Sequence, residues 1–105
     1  MKYELVNIFI SSTGGYLITD DTYSDITEEF FDDFNIESVK DDVSRDDILV
    51  SALITCAPNK IVVHGIENSK CHECIDTIKS IFMERLEFCT GCEKCKSMLQ
   101  FTGQK

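Results

Sequence analysis

No apolar run in this 105-residue chain approaches the roughly 20 residues that a membrane-spanning helix needs. The apolar stretch from Leu5 to Ile10 is short and interrupted by Asn7, and Met1-Lys2-Tyr3-Glu4 places an acid at the start, unlike a secretory leader. A cytoplasmic protein with no membrane contact is therefore expected. Basic residues are scarce in the first part: residues 1–47 hold 13 Asp and Glu against three Lys and Arg. Residues 48–105 hold six acids against seven bases, so the net charge of −9 belongs almost wholly to one half. Phosphate contacts need a basic footprint, which argues against a direct nucleic-acid partner. Proline occurs once, at Pro58.

Cysteine is what the chain does have. Five of its six cysteines fall within 25 residues, as Cys71-His72-Glu73-Cys74 and Cys89-Thr90-Gly91-Cys92-Glu93-Lys94-Cys95. Thiols in a reducing compartment more often serve metal or catalysis than structural disulfides, although an even count of six also suits a secreted disulfide framework. Cys56 lies in an apolar run and reads as a small core hydrophobe.

The apolar pattern predicts an α+β domain over residues 1–105, with an acidic α/β half (1–66) and a cysteine-rich half (67–105). Residues 3–10 are rich in β-branched and aromatic side chains and read as a strand buried on both faces. Residues 11–15 form a turn cluster, and 16–19 return as the second strand of an N-terminal β-hairpin. Asp25 is placed to cap a first helix, with Glu28 at the capping-box position and Ile26, Phe30, Phe31 and Phe34 on one face. A second helix starts at Ser44, buries Ile48, Leu49, Ala52, Leu53 and Cys56, and stops before Pro58. Residues 61–66 read as a further strand, with His64 as a core or edge residue. A third helix spans about 75–86, with Ile75, Ile78, Ile81, Phe82 and Leu86 inward, and Met98, Leu99 and Phe101 suggest a short closing helix.

Three chemistries compete for the cysteines. The first is a structural Zn2+ held by four of Cys71, Cys74, Cys89, Cys92 and Cys95, since C-x2-C-x14-C-x2-C lies close to known zinc-site spacing. Gly91 suits the tight turn of a zinc knuckle, and His72 is a minor alternative ligand. This reading sets a condition on the fold. An unbroken helix from Ile75 to Phe88 would be about 21 Å long and would hold the pairs apart. They can meet only if the helix ends near Glu84 and Arg85–Cys89 runs back extended, a reach of about 17 Å.

The second chemistry is thiol–disulfide exchange. Strand, loop, Cys71-His72-Glu73-Cys74 and helix follow the order around the redox motif of the thioredoxin-like fold, which this segment of about 30 residues resembles. The resemblance implies Cys71 as nucleophile and Cys74 as resolving thiol. That family's cis-proline has no counterpart, because Pro58 precedes the motif, and too little chain follows Cys95 for the remaining elements. Cys71 is accordingly not expected to be a poised nucleophile. The third is an iron–sulfur cluster on Cys89-x2-Cys92-x2-Cys95 with Cys71 or Cys74 as fourth ligand, though no Cys-Pro follows.

In the acidic half, Asp25, Glu28, Glu29, Asp32 and Asp33 are expected to share an exposed helix face. Such a stripe keeps a protein in solution, and it also suits a protein partner with a basic surface. The regular acid and glycine spacing of a calcium-binding EF-hand loop is absent. The reading is a zinc-binding, non-enzymatic interaction protein. Its sharpest form is an acidic regulator or inhibitor of a nucleic-acid-handling protein, of the kind phages and viruses use in host takeover. The competing classes are a CxxC thiol–disulfide oxidoreductase and an iron–sulfur protein.

Overall fold

β-Branched and aromatic side chains draw Leu5–Ile10 into strand β1, buried along nearly its whole length on both faces. The computed structural model describes residues 3–33, 45–93 and 95. A turn at Ser11–Gly15 reverses the chain into β2, Tyr16–Thr19, which pairs antiparallel with β1 and sets Leu17 opposite Phe9. Gly14 takes φ +89° there, a conformation glycine adopts without the Cβ penalty, and its amide bonds Ser11 O at 2.8 Å. The expected hairpin is present.

Two helices then cross to the far side of β1. Helix α1, Thr27–Asp33, begins two residues after Asp25, whose carboxylate accepts the Thr27 N–H at 2.9 Å. The expected Asp25 cap thus acts as an Asx turn onto Thr27. Helix α2, Arg45–Cys56, buries Leu49, Ala52, Leu53 and Cys56 and partly buries Ile48, as its periodicity predicts. Ser44, Phe34 and the closing helix expected around Met98, Leu99 and Phe101 lie outside the described residues. Strand β3, Lys60–His64, returns parallel to β1, with His64 beside Phe9.

The third helix departs from its apolar pattern. Helix α3 runs His72–Phe82 and stops at Met83, which takes φ +52° and cannot continue an α-helix. After a single 3-10 turn, Leu86–Phe88 forms β4, parallel to β3. Leu86 extends the 3.6-residue pattern of α3 by accident of spacing, while its actual neighbour is Ile61 across the sheet. The early helix end and extended return meet the condition that a cysteine metal site sets.

The sheet order is β2-β1-β3-β4, in an α+β arrangement. Alternation along the strands divides its faces. Val6, Ile8, Ile10, Ile18, Ile61 and Val63 face the helices and meet Phe30, Leu53, Ile78 and Phe82 in the core. Asn7, Phe9, Thr19 and His64 lie on the opposite face, at most 3% exposed. No helix among the described residues is long and apolar enough to cross a membrane.

Candidate metal centre

His64 is the last residue of β3, and the parallel crossover through α3 delivers Cys89 next to it. Cys89 N–H bonds Val63 O at 2.8 Å, carrying the β3–β4 ladder one residue beyond Phe88. The chain then folds over the end of β3 and brings in Cys92 and Cys95. Gly91 holds φ +127° in that loop and points its amide at Cys89 Sγ, 3.2 Å away. The knuckle turn expected at Gly91 is present.

The four side chains converge on one small volume. His64 Nδ1 lies 3.2 Å from Cys95 Sγ and 3.7 Å from Cys92 Sγ. Cys95 Sγ lies 3.6 Å from Cys89 Sγ and 3.5 Å from Cys92 Sγ, and all four ligand atoms fall within 4.8 Å of one another. A tetrahedral ion with metal–sulfur bonds of about 2.3 Å has S···S edges of about 3.8 Å and slightly shorter N···S edges. The observed spacing is close to that, slightly contracted. These residues fit a metal ion.

The support behind His64 fixes which nitrogen faces the thiols. Asn7 Nδ2 donates to Asp20 O at 3.2 Å, so its Oδ1 is the atom turned towards His64 Nε2, 2.9 Å away. An amide oxygen only accepts, so Nε2 carries the proton and Nδ1 presents a lone pair to the sulfurs. The ring stacks on Phe9 with centroids 4.1 Å apart and planes 12° from parallel. An open cavity of about 240 Å³, lined by Gly65, Phe88, Cys89, Gly91 and Cys95 among others, gives the thiols a path to solvent.

Electrostatics point the same way. Burial, reinforced by the neighbouring Cys92 and Cys89 sulfurs, pushes the Cys95 thiol up from 9.0 to about 12. Burial also pushes the His64 imidazole below its ordinary 6.5. Both groups are thus held neutral until a cation compensates the thiolates. The metal-free protein should therefore be most stable between these ordinary values. Below about pH 6.5 the unfolded chain takes up the His64 proton more readily, and stability falls. Above about pH 9 the unfolded Cys95 ionises more readily, and stability falls again. Melting temperature against pH in chelator-treated protein should show both arms, and metal loading should abolish the alkaline one.

The centre differs from the sequence expectation in its fourth ligand. Cys89, Cys92 and Cys95 come together, but their partner is His64, read from the sequence as a core or edge residue. Cys71 and Cys74 are bonded to each other as a disulfide with Cα atoms 5.4 Å apart, beside Asp46. The physical reason is topological: β4 returns alongside β3 and so delivers Cys89 to the strand end, whereas Cys71 and Cys74 stay at the start of α3. A sequence signal did exist. A polar ring closing the apolar strand Ile61–Val63 needs a buried partner, and that need identifies His64 as more than core. His72 is exposed at the start of α3 and belongs to neither group.

Asp25, Glu28 and Glu29 are exposed and line one shallow depression of the surface. The side chains of Asp32 and Asp33 lie outside the described residues.

The model of the YtxC-like family matches residues 1–87, most of the chain, and the chain belongs to that family. The matched segment contains His64 and ends two residues before Cys89. No curated protein matches the chain, and no solved structure does.

Proposed function

We propose that this member of the YtxC-like family is a zinc-stapled interaction protein, in which His64, Cys89, Cys92 and Cys95 hold one Zn2+ and an acidic surface receives a basic partner. The observation that carries the metal assignment is the convergence of His64 Nδ1 and three thiols within 4.8 Å. Three sulfurs and one imidazole nitrogen are a familiar structural zinc set, and four protein ligands leave no coordination position for a substrate. The role is therefore structural and not enzymatic: the ion fastens the segment after β4 to the end of β3. A four-iron cluster is the weaker reading, because it binds each thiolate to a different iron and spreads the sulfurs well beyond 3.5 and 3.6 Å. Elemental analysis of purified protein should give about one zinc per chain. A brown, iron-rich protein would replace zinc with the cluster.

The acidic surface supplies the recognition half of the reading. Charge concentrated at Asp25, Glu28 and Glu29 favours fast, salt-sensitive association with a basic surface, such as that of a nucleic-acid-handling protein. Reversing Glu28 and Glu29 to Lys, with Asp25 kept because its carboxylate caps α1, should lower the melting temperature only slightly, since exposed substitutions usually cost within about 0.5 kcal/mol. It should slow association by roughly tenfold or more, within the range of electrostatic steering. Pull-downs at low and high salt with both proteins test this. Equal recovery of one partner by both, at both salts, would leave the charge a role in solubility alone.

A further inference from the structure

The second cysteine pair has no part in the metal centre, yet its surroundings are arranged. Cys71 caps α3, and its sulfur accepts the Cys74 N–H at 3.2 Å. Cys71 is half-buried, whereas Cys74 is 9% exposed, so one sulfur is reachable and the other sheltered. A carboxylate oxygen of Asp46, from the first turn of α2, lies within 4.8 Å of both sulfurs. Tyr16 donates its hydroxyl to Asp46 Oδ1, which keeps that carboxylate in place at the helix start. Burial, with Asp46 adding to it, pushes the Tyr16 hydroxyl far up, so the phenol stays a donor. Asn68 holds the loop before the pair by donating to Ile10 O at 2.8 Å.

We propose that Cys71 and Cys74 form a reversible thiol–disulfide couple, with Asp46 as its proton acceptor, that exchanges with disulfides and dithiols at a site separate from the metal centre. The Cys74 amide, which contacts Cys71 Sγ in the disulfide form, and the start of an 11-residue helix favour a thiolate at Cys71 once the pair is reduced. That thiolate attacks one sulfur of a substrate disulfide; that S–S bond breaks, and the other sulfur leaves as a thiolate. Cys74 then gives its proton to Asp46 and attacks Cys71 Sγ. The Cys71–Cys74 bond forms, the mixed disulfide breaks, and the second substrate sulfur leaves and takes the proton from Asp46. The substrate gains two electrons and the cysteine pair loses two. A dithiol runs the sequence backwards. Without a facing cis-proline Cys71 is not expected from the sequence alone to be reactive; a carboxylate beside both sulfurs supplies a different route to reactivity. The couple acts stoichiometrically, so the non-enzymatic reading of the protein is unaffected.

The chain offers a readout that ignores the metal. Trypsin cuts after Lys70 and Lys79, and the peptide 71–79 contains Cys71 and Cys74 and no other cysteine. The full protein, equilibrated in glutathione buffers from reducing to oxidising and then alkylated, should show this peptide passing from two alkyl groups to none. Asp46→Asn, whose amide oxygen can still accept the Tyr16 hydroxyl, should slow exchange at least about tenfold, in line with loss of a general base. Cys74→Ser should trap glutathione on Cys71. A peptide that stays doubly alkylated in every buffer would overturn the proposal, as would Asp46→Asn exchanging at the parental rate or glutathione failing to collect on Cys71. Zinc content, measured on the same samples, separates this outcome from the fate of the metal assignment.

Discussion

Chelation of the metal, or Cys92→Ser, should free the segment after Phe88 and lower the melting temperature sharply. A ligand present at about 1,000 times its dissociation constant stabilises the folded state by about 4 kcal/mol. Each kcal/mol moves the melting temperature of a domain of this size by about 4–8 °C, so a fall of roughly 15–30 °C is expected. The core of Phe30, Leu53, Ile61 and Ile78 contains none of the four ligands. The chelated protein should therefore keep its helices and sheet while amide exchange accelerates in residues 89–93. His64→Ala should reproduce the loss. Cys74→Ser should not, because the 71–74 pair stands apart from the four ligands. Calorimetry with and without chelator, alongside zinc content, reads all of these. Melting unchanged by chelation, or zinc lost with Cys74→Ser, would sink the assignment.

Phe9→Ala should be the most damaging single substitution on the face opposite the helices. Phe9 is 0% exposed, and its ring supports the His64 imidazole from 4.1 Å. Emptying such a site typically costs about 3–5 kcal/mol, through lost burial and the cavity left behind. That is a large share of the roughly 5–15 kcal/mol by which domains are stable. The substitution should also weaken metal binding by roughly 10- to 100-fold, as loss of a ligand's supporting contact does. Asn7→Ala should weaken the metal comparably at a smaller cost in stability, because it frees the His64 tautomer and removes less apolar area. Denaturant unfolding and competition with a chelator of known affinity separate the two effects. Phe9→Ala with unchanged metal affinity would show that stacking on Phe9 does not position His64.

Much of this architecture was legible from local pattern. The hairpin, α2 and β3 follow from short-range signals: β-branched strands, a glycine-bearing turn, an apolar stripe at helical spacing and a proline just beyond its end. Gly91 between Cys89 and Cys92 announced a turn that only glycine adopts easily, and it is there at φ +127°. Cysteine spacing announced thiols gathered for metal or redox work. Local pattern failed where two neighbours compete for one residue. Leu86 satisfies the period of α3 as well as a strand, and contact with Ile61 in the sheet decides between them. The same decision sets the site. Once β4 lies parallel to β3, Cys89 is carried to the end of that strand and Cys92 and Cys95 fold over His64, 25 residues or more away in sequence. Spacing alone pairs cysteines that are near in sequence with one another. Which of them meet a histidine, and which meet Asp46, depends on strand order and crossover, and those are properties of the whole sheet.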